Sequence, residues 1–258
     1  MIGFRGLCLP VVALAVPAFA LAVSACSASH DGGNTPAPSA TATTPGPVNT
    51  DPAFVLQKGV IIDFDTNKVL AGATITAGDQ STTSDAKGAY SLKVHKSVPF
   101  AMVVTAPNYV KVLEQSTVLD ADYDRGKTTI VPLDLGTLLH NTLQGYDATL
   151  GVLSVAVLPT GGCASEQGTK VTVSPEGSAK VKYMLNKFPS NTVEEVQKGE
   201  FPSAVIYNLQ PGVPITVTLH NEECKQVAFP FAHDGITYEA SVSTEAGDVT
   251  SFQRLFLQ

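Results

Sequence analysis

From Gly59 onward, apolar and polar positions alternate with a period of two in short runs set between turn residues, the pattern of half-buried strands. Gly59-Val60-Ile61-Ile62-Asp63 predicts a first strand. In the next, Thr74, Thr76 and Gly78 alternate with Ala73, Ile75 and Ala77. Thr82 to Gly88 reads as a turn, because its residues accept local hydrogen bonds or tolerate positive φ. Tyr90-Ser91-Leu92-Lys93-Val94 then alternates again, and Phe100 to Ala106 predicts a further strand closed by Pro107-Asn108-Tyr109. Beyond Leu135 the layout recurs: Gly151 to Val157 matches the first strand, Gly168 to Ser174 matches Gly72 to Gly78, and Ala204 to Leu219 matches Tyr90 to Thr105. The repeat is one of pattern, not identity. Asn186 to Gly199, with Val193-Glu194-Glu195-Val196, is where a helical turn or two is expected.

The first 52 residues break this pattern. One positive charge, Arg5, precedes an apolar run from Gly6 to Val23 and the small residues Ser24 and Ala25, directly before Cys26. That order is the n-region, h-region and cleavage site of a secretory signal. Ser27 to Pro52 holds almost no large apolar residue, so it cannot bury enough surface to offset the entropy of ordering. It reads as a disordered tether, partly extended by Pro36, Pro38, Pro45 and Pro47. The expected organisation is a signal at 1–25, a lipidated cysteine and tether at 26–52, one β-sandwich at 53–138 and a second at 139–258. One larger sandwich formed by both halves is the rival.

Val23-Ser24-Ala25-Cys26 resembles the bacterial lipobox. The resemblance implies that the Cys26 thiol is alkylated with diacylglycerol, that cleavage leaves Cys26 as the mature N-terminus, and that fatty acyl groups of the palmitate type anchor it. An ordinary signal cut at Ala18-Phe19-Ala20 is one alternative. An uncleaved anchor is another, since the apolar run approaches the ~18–20 residues that span a bilayer. Two or three acyl chains, at roughly 0.8 kcal/mol per buried methylene, suffice for stable anchoring. The expected location is the cell membrane or outer membrane, with the body in the periplasm or on the cell surface.

Gly59-x-Ile61, Leu70-Ala71-Gly72-Ala73-Thr74-Ile75, Thr83-x-Asp85-Ala86-Lys87-Gly88-Ala89-Tyr90 and Val104-Thr105-Ala106-Pro107-Asn108-Tyr109 together resemble the carboxypeptidase regulatory-like domain, a small transthyretin-like β-sandwich. The likeness covers roughly 59–135. Family members usually carry Gly where Asn108 stands, and Asn tolerates the left-handed region better than other side chains. Members of that family are mostly non-catalytic accessory, spacer or adhesion modules, so the resemblance brings no catalytic residues.

Composition agrees with an all-β reading of two transthyretin-like or Ig-like modules. The chain has 17 Pro, 21 Gly and no Trp, and its Val, Thr and Ile content favours strands joined by turns. Its 44% hydrophobic and 15% charged residues suffice for a sizeable core. The net charge of −7 and the lack of a basic cluster argue against nucleic acid as a partner. Of four cysteines, Cys8 and Cys26 belong to the signal and its end. Cys163 and Cys224 remain as an even pair in an exported chain, which reads as a disulfide.

Candidate chemistry is sparse. No Gly-x-Ser-x-Gly elbow or His-Glu-x-x-His zinc motif occurs, and His30, His95, His140, His220 and His233 are isolated in sequence. Hard cations want clustered oxygens, which makes Asp63-x-Asp65-x-Asn67 and Asp120-x-Asp122-x-Asp124 weak calcium candidates. Both lack the loop Gly and bidentate Glu of an EF-hand, and turns that bond their own backbone are the plainer reading. Tyr109, Tyr123, Tyr183, Tyr207 and Tyr238 are scattered, which favours packing over a sugar platform. No cofactor is expected beyond the covalent lipid. The expectation is a non-enzymatic envelope lipoprotein serving as a binding, adhesion or scaffold module, held to the membrane by its lipid and meeting an envelope protein or polysaccharide. A polysaccharide- or peptide-binding accessory protein and a hydrolase with an unrecognised motif are the alternatives. An exposed apolar groove would favour ligand binding, a buried polar triad in a cleft an enzyme, and smooth convex sandwiches a scaffold.

Overall fold

A computed structural model of the chain describes residues 51–258 except 200, 202 and 241. The first half carries β1 (Phe54–Asp63), β2 (Thr74–Ala77), β3 (Gln80–Thr83), β4 (Ala89–His95), β5 (Met102–Thr105), β6 (Lys111–Glu114), β7 (Thr117–Val118) and β8 (Tyr123–Ile130), followed by a helix α1 (Leu133–Asn141). The second carries β9 (Gly151–Pro159), β10 (Lys170–Ser174), β11 (Lys180–Leu185), β12 (Phe188–Pro189), β13 (Ala204–Leu209), β14 (Thr216–His220), β15 (Phe231–His233), β16 (Ile236–Tyr238) and β17 (Val249–Leu257). The body is nearly all β and sandwich-like, as the alternation predicts.

The two halves repeat one pairing scheme. β1 lies antiparallel to β4 and parallel to β8, and β9 lies antiparallel to β13 and parallel to β17. β2 pairs antiparallel with β5 as β10 does with β14. Apart from β8 and β17, the corresponding strands are those whose sequence patterns match. At Lys58/Val60 the β1–β8 register slips, and Gly59 is what permits it: a Cβ there would stand 2.8 Å from the Gly126 carbonyl and 2.9 Å from the Tyr90 ring. A strand glycine at a bulge marks such close backbone approach. Asn108 holds φ 65°, a left-handed conformation that Asn tolerates better than other side chains do.

The halves are also joined edge to edge. β17 runs parallel to β9 from Thr250↔Val152 to Leu257↔Pro159, and parallel to β6 from Val249↔Lys111 to Phe252↔Glu114. It thereby fuses strands from both halves into one nine-stranded sheet, ordered β12-β11-β13-β9-β17-β6-β5-β2-β3. A small sheet β15-β16-β7 crosses the same boundary. Side chains follow the period of two along β17: Phe252 and Phe256 pack in the core of the first half, and Leu255 and Leu257 in that of the second. β9 is apolar on both faces, as a strand between two layers must be. Leu153, Val155 and Val157 face the second core, and Val152 joins Leu143, Met184, Val205 and Tyr207 in a third cluster.

The helix is not where the sequence pattern placed it. Residues 186–199 form turns and the two-residue β12, because Asn186 and Lys187 both take positive φ (53° and 69°) and reverse the chain in a two-residue hairpin. Val196 donates its N–H to the Thr169 carbonyl and accepts from Gly168 N–H, which leaves its backbone no helical partner. The helix that does form, α1, follows Pro132 and has Asp134 in its first turn, where a carboxylate complements the helix dipole. Among the described residues no helix is long and apolar enough to cross a membrane.

Candidate functional site

The signal at 1–25, Cys26 and the tether as far as residue 50 lie outside the described residues. Cys163 and Cys224 form a disulfide with 5.6 Å between Cα atoms, which ties the loop after β9 to the segment after β14. Among the calcium candidates Asp63 and Asp124 bond locally in turns, whereas Asp120 and Asp122 are engaged by residues distant in the chain. Asp63 Oδ1 accepts from the Thr66 N–H and hydroxyl, and its Oδ2 accepts from the Tyr109 hydroxyl at 2.7 Å. Asp120 accepts from the Ser97 hydroxyl, Asp122 from the Leu56 N–H and Asp124 from the Gly126 N–H, while Asp65 and Asn67 are exposed. Among the described residues no three His, Cys, Asp or Glu side chains are grouped to hold a metal ion. Tyr183, Tyr207 and Tyr238 are buried, and Tyr109 and Tyr123 half-buried, so the tyrosines pack rather than form a platform.

Two polar features were not legible in the sequence. Burial pushes the Asp63 carboxyl up, but the hydrogen bonds from Thr66 and Tyr109 together outweigh it and hold it below the usual carboxylate range. The same hydrogen bond, with burial, raises Tyr109 to about 12. The second feature is a buried triad. Glu114 of β6 meets Arg125 of β8 at 2.5 Å and Arg254 of β17 at 3.2 Å. Burial alone would raise Glu114, but the two guanidiniums keep it ionised. Arg254 also donates its backbone N–H to Gln115 Oε1, so charge and amide together lock β17 against β6. The triad holds two cations and one anion and contains no nucleophile, which makes it a structural lock.

The concave feature of chemical interest lies under α1, where the halves share their sheet. It is a cleft of about 260 Å³. Its floor is the face of the nine-stranded sheet, from Met184, Val205, Val152 and Ser154 to Thr250 and Phe252. Its roof is one face of α1: Gly136, Leu139 and His140 stand at i, i+3 and i+4, and Leu143 continues the row just beyond the helix. Val110, Val131 and Phe64 close it from the first half, and Phe201, half its surface exposed, stands at the opening.

The height of the roof is set by a glycine. A Cβ on Gly136 would lie 2.5 Å from Val110 Cγ2, so α1 approaches the sheet this closely only because the position is bare. The β11–β12 hairpin sets the other boundary, since its two-residue turn carries exposed Lys187 onto the lining. Lys187 and His140 are the ionisable side chains there, and among the described residues no carboxylate lines the cleft. His140 stacks on Tyr146 with 4.4 Å between ring centroids. Burial lowers its pKa, with Asp248 opposing.

No family model matches the chain, and no curated protein does. Among solved structures, 30% of it is similar to a mutant type II cohesin–X-dockerin complex from Acetivibrio cellulolyticus, at 16% identity and TM-score 0.28, over 58% of that chain. The Bacillus anthracis TIE protein is similar over 80% of this chain and 34% of its own, at 12% identity and TM-score 0.26. A shaft pilin of Lactobacillus rhamnosus GG is similar over 80% of this chain and 98% of its own, at 10% identity and TM-score 0.23. The chain thus spans little more than half the length of the first of these. The chemistry of the cleft is read from its own geometry.

That geometry suits binding. Thr129, Ser154 and Thr250 bring hydroxyls, and Asn67, His140 and Lys187 further polar groups, to a mostly apolar lining. His140 packs against a tyrosine ring, and among the described residues no hydrogen bond links it to a hydroxyl or a carboxylate in the manner of a nucleophile and its base. Sequence reasoning missed the cleft because its residues come from strands far apart in the chain. The one local signal was Leu139 and Leu143 at helical spacing after Pro132, in a row that begins at Gly136.

Proposed function

We propose that the chain is a non-catalytic, lipid-anchored envelope protein whose β body is a binding module, with the cleft beneath α1 as its ligand site. The observation that carries this reading is the apolar cleft itself, formed where the two halves meet on one sheet face. Ligand pockets favour such junctions, and their volumes begin at about 300 Å³ for drug-sized molecules, so this site suits a small or slender apolar group. The anchor reading rests on Val23-Ser24-Ala25-Cys26, and the accessory-module reading on the regulatory-like pattern between Gly59 and Tyr109.

Two measurements test it. Intact mass of membrane-extracted protein is expected to equal residues 26–258 plus acyl chains, and the acylation to vanish in Cys26→Ala; an unacylated wild-type mass would remove the anchor. For the cleft, the neutral dye Nile red is expected to bind one per chain with blue-shifted emission. Thr250→Trp, which projects a large ring into the cleft, should abolish that binding while the thermal transition stays cooperative. Binding that survives Thr250→Trp would place the dye elsewhere and remove the cleft from the proposal.

A further inference from the structure

We propose that His140 makes the cleft acid-sensitive: its imidazole must be neutral for an apolar group to occupy the space beneath α1, so protonation of that ring expels the occupant. This concerns the regulation of the same site and rests on the binding reading above.

The ring stands where its charge and an apolar occupant compete. His140 lies on the face of α1 that roofs the cleft, one turn beyond Gly136, and is half-buried. The cleft it faces is lined largely by apolar side chains, among them Leu139, Leu143, Val152, Met184 and Val205. The ring is held by its stack on Tyr146, and among the described residues it makes no hydrogen bond and no ion pair. A protonated imidazole has two N–H donors, so here it depends on water in the cleft to satisfy them. A hydrocarbon group filling the cleft removes that water and offers no acceptor in exchange, which disfavours the charged form. The neutral ring keeps a single N–H, a far smaller cost than a buried charge.

The groups that face His140 from the neighbouring elements do not supply the missing partner. Asp248, just ahead of β17, is exposed and favours the cation without forming an ion pair with it, and burial disfavours the cation more strongly. Tyr146 stays neutral because burial raises it, and Asp147 beside it is bonded to Thr149. From the floor of the cleft Tyr207 and Lys180 both donate to the Gln144 carbonyl, and Lys111 is paired with Glu245. Lys187 of the β11–β12 turn is itself a cation on the lining and favours a neutral ring. Binding is therefore full above the lowered pKa of His140 and is lost as pH falls through it.

The test uses the full chain with Cys26→Ala, purified without detergent so that neither its own lipid nor a surfactant fills the cleft. Nile red, which stays neutral throughout, is titrated from about pH 8 downward over the range in which the thermal transition remains cooperative, and the His140 ring is followed by NMR with and without dye. The dissociation constant is expected to be level near neutrality and to rise by about tenfold per pH unit below the His140 midpoint, the slope of one proton. By reciprocity, saturating dye should move that midpoint to lower pH. His140→Phe keeps a ring against Tyr146 and should bind Nile red with a constant that stays level across the range. Asp248→Asn, which removes the carboxylate that favours the cation, should lower the midpoint in both readouts. If Nile red binds and Thr250→Trp blocks it, but wild type and His140→Phe respond alike to pH or dye leaves the His140 midpoint in place, the acid gate fails and the binding reading stands. If Nile red fails to bind the folded protein at every pH, both fail together.

Discussion

Single residues decide how closely the layers of this protein approach one another. An exposed helical glycine usually gains about 1 kcal/mol on replacement by alanine. At Gly136 the sign should reverse, because the new methyl would meet Val110 Cγ2 at 2.5 Å in a packed layer. Gly136→Ala is expected to lose about 1–3 kcal/mol in denaturant unfolding, as over-packing does, and Val110→Ala should restore most of it in the double variant. The Asp63–Tyr109 pair makes a residue-scale prediction in pH. Tyr109 is raised to about 12 from about 10, so its contribution is complete below pH 10 and is lost as pH rises toward 12. Asp63 lies below its ordinary value, so its contribution is present above about pH 4 and lost as pH falls through the lowered value. Tyr109→Phe should flatten the alkaline limb of a stability profile and raise the Asp63 pKa measured by NMR. An unchanged alkaline limb would mean that the hydrogen bond contributes nothing to stability.

At the scale of elements, strands were far more legible in the sequence than their order. Ala73, Ile75 and Ala77 announce β2, and the alternation of Tyr90, Leu92 and Val94 announces β4, because inward and outward faces are written into neighbouring residues. The correspondence of Gly151 to Val157 with the first strand was also visible, and the structure gives the two strands the same partners. What no local period encodes is that β17 lies parallel to both β6 and β9, or that β6 faces an edge of the other half. Helix α1 escaped because nine residues interrupted by a glycine give too short a pattern. The cleft escaped with it, since its lining becomes contiguous only when α1 closes over the sheet. The cysteine pair was legible from its number and setting alone. Its loop spans 61 residues, for which chain entropy gives about 4 kcal/mol. Reduction, or Cys163→Ala with Cys224→Ala, should lower the denaturant midpoint accordingly while leaving Nile red binding in place, because neither cysteine lines the cleft. Loss of dye binding in a still-folded reduced protein would show the cleft coupled to the second core.

For the whole molecule, β17 is the element on which both halves depend. Its alternate side chains enter two cores, its backbone pairs with β6 and β9, and its Arg254 reaches the buried Glu114. The floor of the cleft includes its Thr250 and Phe252, so the proposed site exists only when the two halves are joined. The parallel direction of this pairing has a mechanical meaning. Because β17 and β9 run the same way, a load applied between the start of β9 and the end of β17 pulls along the strands, not across them. Their ladder is then strained in shear, and its hydrogen bonds must yield together instead of opening one at a time from an end. A body built this way is stiff along that axis, and the floor of the cleft, formed in part by these same two strands, keeps its shape for as long as the ladder holds.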